Sequence, residues 1–63
     1  MIITRNSIIA QVLLGTLVTV ELFSGDQFTG TVKLNKNNEL AISSNDLPLR
    51  TFKYLSIKFV SVP

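Results

Sequence analysis

Residues 17–34, LVTVELFSGDQFTGTVKL, decide the fold that we expect for this chain of 63 residues. Apolar and polar side chains alternate on both sides of a central turn, and a period of two is typical of half-buried β-strands. The turn is Ser24-Gly25-Asp26, in which Gly25 can take a positive φ without steric cost. The stretch predicts a hairpin of strands 17–22 and 27–35, with these inward positions: Val18, Val20, Leu22, Phe28, Gly30, Val32 and Leu34.

Gly30 is unusual because it falls on the inward face of the second predicted strand. A glycine at such a position usually marks a sharp bend or a close backbone approach, as at the corner of a small barrel. We therefore expect the second strand to bend there.

The remaining sequence indicates a short helix before the hairpin and three more strands after it. Thr4, Asn6 or Ser7 can cap a helix over residues 6–14 that ends at Gly15, although a buried strand competes on periodicity alone. Polar turn residues at 35–39 and 44–46 separate short apolar runs. The further strands are predicted over residues 40–43, 49–54 and 56–62, with Ile57 and Phe59 in the core. Five strands behind one helix predict a single small barrel domain, residues 1–63.

Composition limits how such a domain can be stabilised. Apolar residues make up 46% of the chain and its mean hydropathy is +0.40, which is too hydrophobic for a disordered segment. A domain of this size buries only about 60% of its unfolded surface. The absence of cysteine and histidine excludes disulfides and a zinc site as supplements. We therefore expect a homo-oligomer.

Charge and motif content favour a binding protein over an enzyme. The formal charge of +2 and the isoelectric point near 9.4 permit contact with an anionic polymer. The four carboxylates form no convergent pair in the sequence, and no phosphate-binding glycine loop occurs. No apolar run approaches the ~20 residues of a membrane span. We expect a soluble cytoplasmic protein that is not an enzyme, with no cofactor, metal, small-molecule substrate or membrane contact.

Two segments resemble the motifs of the Sm and Sm-like (LSm) proteins, whose bacterial relative is Hfq. The pattern Val18-x-Val20-x-Leu22-x-x-Gly25-x-x-Phe28-x-Gly30-x-Val32 is similar to their first motif, and FKYLSIKFVSVP at residues 52–63 resembles their second. The resemblance implies a five-stranded, strongly bent antiparallel SH3-like barrel with a short N-terminal α-helix. It also implies a ring of six or seven protomers, in which the fourth strand of one protomer pairs with the fifth strand of the next.

In function, the resemblance implies binding of single-stranded RNA, rich in uridine or adenine, in an RNA chaperone or processing role. The family holds bases between loop 3 and loop 5, which correspond here to residues 35–39 and 53–55. Such binding needs a stacking group, an amide that reads a base edge and a cation near the phosphates. The candidate RNA-binding residues are Asn35, Lys36, Asn37, Asn38, Lys53 and Tyr54.

The two loops also depart from the family pattern. Glu39 replaces an amide, Lys53 an arginine and Tyr54 a glycine, and Asn37 occupies the position of a stacking residue. Loop asparagines are common in plain solvated turns, and aromatic residues at strand ends are commonly packed. A ring that has lost RNA binding and serves as a structural or protein-interaction module is therefore the alternative hypothesis.

Overall fold

The computed structural model describes residues 1–44 and 48–63, which are mostly β. Within these ranges six strands form one antiparallel sheet in the order β1-β6-β2-β3-β4-β5. A 3₁₀ turn (Arg5–Ser7) leads into a single short helix, α1 (Ile8–Gln11), and a second 3₁₀ turn (Tyr54–Ser56) joins β5 to β6. The strands are β1 (Ile2–Thr4), β2 (Leu17–Leu22), β3 (Gln27–Lys36), β4 (Glu39–Ser43), β5 (Arg50–Lys53) and β6 (Ile57–Ser61). Asn45 and Asp46 of the predicted turn 44–46 lie outside the described residues.

The predicted hairpin is confirmed as β2 and β3. Val20 lies opposite Phe28, and the turn between the strands places Gly25 at φ 94°. The Ser24 hydroxyl donates to the Asp26 carboxylate over 3.0 Å, and the Leu22 N–H donates to the Asp26 carbonyl over 2.9 Å. The side-chain bond holds the polar turn residues in place, as is usual for serine and aspartate in turns.

Gly30 makes the close backbone approach that the sequence predicts. A Cβ atom at this position would lie 2.7 Å from the Ser43 carbonyl oxygen and 2.9 Å from its carbon. The first half of β3 pairs with β2, whereas its second half, from Thr31 onward, pairs with β4. Gly30 therefore lies where one long strand passes from one partner to the other.

The sheet folds over on itself around this point. Phe52 on β5 lies opposite Leu40, which in turn lies opposite Asn35, and Phe28 is seven residues earlier on β3. Along a straight strand, Phe28 would lie about 23 Å from Asn35, and therefore at least as far from Phe52 two strands away. The Phe28 and Phe52 ring centroids are nevertheless 5.2 Å apart. Strong curling of the sheet brings β5 back over the start of β3.

Two lysines interrupt the alternation of side chains. Lys33 has no partner between the pairs Val32–Ile42 and Leu34–Ala41, so β3 bulges there, and β6 has a matching register shift at Lys58. Each extra residue moves the following side chains to the opposite face. Leu34 and Phe59 are therefore only half-buried and lie outside the core cluster, so the prediction that they belong to the core is wrong.

The N-terminal segment differs most from expectation. The predicted helix over 6–14 is confirmed only for the four residues of α1, and neither Thr4 nor Ser7 caps it with a side-chain hydrogen bond. Gly15 does have a positive φ of 86°, and its N–H donates to the Val32 carbonyl. The expectation of five strands is also wrong, because β1 pairs with β6 as a sixth strand.

The core between the curled sheet and α1 is made of apolar side chains and one tyrosine. Ile3 from β1 and Ile8 from α1 are fully enclosed, so the N-terminal segment belongs to the core. The buried cluster in the described residues is Ile3, Ile8, Val12, Val18, Val20, Val32, Leu40, Ile42, Tyr54, Ile57 and Val60.

We predict that Gly30→Ala lowers the free energy of unfolding by about 1–3 kcal/mol, because the new methyl group would overlap the Ser43 backbone. Gly25→Asn is the matched control, since Gly25 has open space and asparagine tolerates a positive φ. Urea denaturation of the two variants measures the difference. Equal stability of both variants would contradict the role assigned to Gly30.

Candidate nucleic-acid interface

One open cleft of about 610 Å³ brings together three segments that are distant in the sequence. They are the N-terminal 3₁₀ turn with the start of α1, the β3–β4 turn, and the link from β5 to β6. Four of the six candidate residues, Asn37, Asn38, Lys53 and Tyr54, line it, whereas Asn35 and Lys36 do not. The complete lining is Arg5, Asn6, Ile9, Asn37, Asn38, Glu39, Lys53, Tyr54 and Leu55.

The β3–β4 turn consists of Asn37 and Asn38 alone. Both residues have positive φ angles, 55° and 61°, which is the backbone of the two-residue hairpin turn that suits right-twisted strands. The Asn38 carbonyl accepts a hydrogen bond of 2.9 Å from the Tyr54 N–H, so the turn is tied to the β5–β6 link. Both asparagine side chains are exposed and leave their amides accessible to a ligand.

Asn35 lies within β3, not in the loop that the sequence predicts for it. Its Nδ2 donates to the carbonyls of Ile8 and Val12, over 3.0 and 2.9 Å, and its Oδ1 accepts from the Tyr54 hydroxyl. The last carbonyls of a helix have no partner within the helix, and this amide supplies one to the Val12 carbonyl at the end of α1. The Ile8 carbonyl also accepts the Val12 N–H, so the amide is its second partner. Asn35 therefore joins α1, β3 and the β5–β6 link.

Tyr54 is buried, with 9% of its surface exposed, and its ring belongs to the core cluster. Burial raises the pKa of the phenol above its ordinary value of 10.0. The sequence allows Tyr54 either to stack on a base or to pack within the protein, and in the structure it is packed. Its contribution to the cleft is a wall held by the bond to Asn35.

The charged groups of the cleft are Arg5, Lys53 and Glu39. Glu39 lies opposite Lys36 on one neighbouring strand and opposite Lys53 on the other, so each strand beside it carries a basic residue at the paired position. Lys36 is exposed at the end of β3 beside the cleft. The balance among these residues is positive, which favours an anionic ligand.

The sequence does not identify four of the cleft residues as ligand-binding: Arg5, Asn6, Ile9 and Leu55, the last of which falls within the predicted loop 5. The first three belong to the N-terminal segment, whose sequence indicates only a helix start. Ile9 and Leu55 expose 58% and 76% of their surface beside the polar groups. The cleft thus combines exposed apolar surface, amides and cations, and the curled sheet brings its N-terminal residues beside those of the β3–β4 turn and the β5–β6 link.

No protein-family model, curated protein or solved structure matches this chain. Across residues 1–44 and 48–63, no helix is long and apolar enough to span a bilayer. The same residues contain no group of three acidic side chains placed to hold a metal ion.

We predict that the Tyr54 phenol titrates above pH 10.0 in the folded protein and returns to about 10 in denaturant, because burial favours the neutral form. Tyr54 is the single tyrosine and the chain has no tryptophan, so phenolate absorbance measures this group alone. The stability that Tyr54 contributes is complete below the unfolded pKa and is lost as the pH rises through the folded pKa. A folded midpoint at or below 10.0 would contradict the assigned burial.

We further predict that Asn35→Ala lowers the free energy of unfolding by about 2 kcal/mol, since the Val12 carbonyl and the Tyr54 hydroxyl lose their side-chain partner and the Ile8 carbonyl loses one of two. Asn37→Gly serves as the control: it removes an amide without touching this network, and glycine adopts the positive φ of the turn. Thermal or urea unfolding compares the two. A neutral Asn35→Ala variant would exclude the joining role of this residue.

Proposed function

We propose that this protein is a small Sm-like barrel that forms a homo-oligomer and binds single-stranded RNA, rich in uridine or adenine, at the cleft. The observation that carries the proposal is the convergence of Asn37, Asn38, Lys53 and Arg5 from three segments on one concave surface. Its role would be that of an RNA chaperone or processing factor, without catalysis or cofactor.

Support for the barrel comes from the curling of the sheet. The bend at Gly30 and the contact between Phe28 and Phe52 bring β5 over the start of β3. The smallest dimension of the molecule is 23 Å, whereas a single flat sheet would be roughly 10 Å thick. Strands β2 to β6 correspond in order to the five strands that the resemblance implies, and a 3₁₀ turn links the last two.

Support for RNA comes from the chemistry of the cleft. Side-chain amides both donate and accept, so Asn37 and Asn38 can bond to the edge of an unpaired base. Lys53 and Arg5 supply the positive charge that a phosphate backbone needs. Ile9 and Leu55 offer apolar surface against which a base can pack. The cleft volume lies within the ordinary range for ligand sites.

A structural or protein-interaction module without RNA binding is the second candidate. It is favoured by the internal hydrogen bonds of Asn35 and Tyr54, which hold two of the six candidate residues inside the protein. It is also favoured by Glu39, whose carboxylate repels phosphate from within the cleft. On this alternative the exposed apolar residues Ile9 and Leu55 bind a protein partner.

We predict saturable binding of a short oligouridine or oligoadenosine at low salt. Lys53→Ala is expected to weaken this binding about tenfold and to reduce the slope of log affinity against log salt, because one phosphate contact is lost. Lys33→Ala is the control of equal charge, because Lys33 is exposed and lies outside the cleft. Fluorescence anisotropy measures both affinities.

The turn residues give a second arm of the same assay. Asn37→Gly and Asn38→Gly remove the amides while preserving the positive φ, so each is expected to reduce base preference more than affinity. Absence of saturable binding, or equal losses for Lys53→Ala and Lys33→Ala, would favour the protein-interaction module.

A further inference from the structure

In the part of the chain that the structure describes, the sheet ends at β1 on one side and at β5 on the other. Strand β6 is not an edge in the described residues, because it pairs with β2 on one side and with β1 on the other. A contact between β5 and the β6 of another protomer would therefore have to displace β1. Unpaired edge strands present rows of free N–H and C=O groups to solvent.

The hydrogen bonds of β1 determine which of its backbone N–H and C=O groups face the open edge. Met1 and Val62 exchange two bonds, since the Met1 amine donates to the Val62 carbonyl over 2.6 Å and the Val62 N–H donates to the Met1 carbonyl over 2.7 Å. Bonded and non-bonded pairs alternate along an antiparallel ladder. Ile3 therefore bonds to β6, whereas the N–H and C=O groups of Ile2 and Thr4 point to the open edge.

Bonded and non-bonded pairs alternate along β5 in the same way. The Tyr54 N–H donates to the Asn38 carbonyl, so the pair Leu40–Phe52 is the next bonded pair along the ladder. The N–H and C=O groups of Thr51 and Lys53 consequently point away from β4 to the open edge.

The side-chain faces of the two edges match. Ile3 and Phe52 lie on the inner face of the sheet, where Ile3 is buried and Phe52 packs against the core. The residues with outward backbone groups, Ile2 and Thr4 on β1 and Thr51 and Lys53 on β5, all carry their side chains on the outer face. Residues opposite each other in an antiparallel pair share a face, so β1 and β5 can join with both inner faces on the same side.

We propose that β5 of one protomer pairs antiparallel with β1 of a second copy of this chain. Exposed apolar side chains flank both edges: Met1 and Ile2 expose 68% and 60% of their surface at β1, and Leu49 and Leu55 expose 55% and 76% on either side of β5. A second copy fits because each chain carries both halves of the contact. Such a head-to-tail contact repeats until it closes a ring or extends into a filament. The contact does not require RNA, because its hydrogen bonds join backbone groups of the two strands.

Proline at an outward position tests the contact without disturbing the protomer. Thr4 has φ −80° and ψ 162°, a backbone that proline adopts, and its N–H takes no part in pairing with β6. Thr4→Pro therefore blocks the β1 edge, and Thr51→Pro blocks the β5 edge. Thr4→Val and Thr51→Val keep the N–H and the branched shape and serve as matched controls. A cooperative urea unfolding transition verifies folding of each variant. N-methylation of the same amide in a synthetic chain replaces any proline variant that fails.

Native mass spectrometry without RNA measures the number of protomers in each assembly. In the mixture, one variant is labelled with ¹⁵N so that the two chains differ in mass. We expect wild type and both valine controls to assemble, each proline variant alone to associate at least tenfold more weakly, and their mixture to form one-to-one dimers that do not grow. Dimers of Thr51→Pro alone would indicate β1–β1 contacts, dimers of Thr4→Pro alone would indicate β5–β5 contacts, and either result overturns the proposal. A monomeric wild type, or assembly unaffected by both prolines, overturns it as well.

Discussion

The close approach of the Gly30 backbone to the Ser43 carbonyl is the contact on which the rest of the structure depends. Without a Cβ at this point, β3 can leave β2 and continue on β4 while the sheet curls. The curling moves Phe52 into contact with Phe28 and brings β5 back over the start of the hairpin. The cleft depends on this bend, because its N-terminal wall follows β1, which lies at the opposite edge of the sheet from β5.

A second constraint fixes those walls relative to one another. The Asn35 side chain bonds to α1 on one side and to Tyr54 on the other, and the Tyr54 N–H bonds to the Asn38 carbonyl. Buried polar groups are costly when unpaired, so a network in which each group has a partner selects one arrangement of the three segments. Asn35 and Tyr54 thus hold the exposed groups of Asn37, Asn38 and Lys53 in position. The resemblance implies instead that Asn35 and Tyr54 contact the ligand directly.

The fold is predictable from the sequence where one local rule decides the outcome, and it is not where two rules compete. The hairpin and the bend at Gly30 follow from alternation and from the missing side chain, and both are found. Alternation alone cannot locate the bulges at Lys33 and Lys58, which shift Leu34 and Phe59 out of the core and turn Asn35 inward. The three residues of β1 are too few for a periodic pattern, so this strand and the adjacent cleft residue Arg5 are predictable only from the tertiary fold.

The positions of the edges and of the cleft connect assembly with ligand binding. Arg5 directly follows β1, and Arg50 and Lys53 are the first and last residues of β5, so the proposed pairing of these strands between protomers would gather cations along the contact. Like charges oppose such a contact at low ionic strength, and salt or a bound polyanion relieves the repulsion. Arg5 and Lys53 also line the cleft. A single strand bound there would neutralise the charges that hinder pairing, so RNA and a second protomer would favour each other's binding by the same electrostatic free energy.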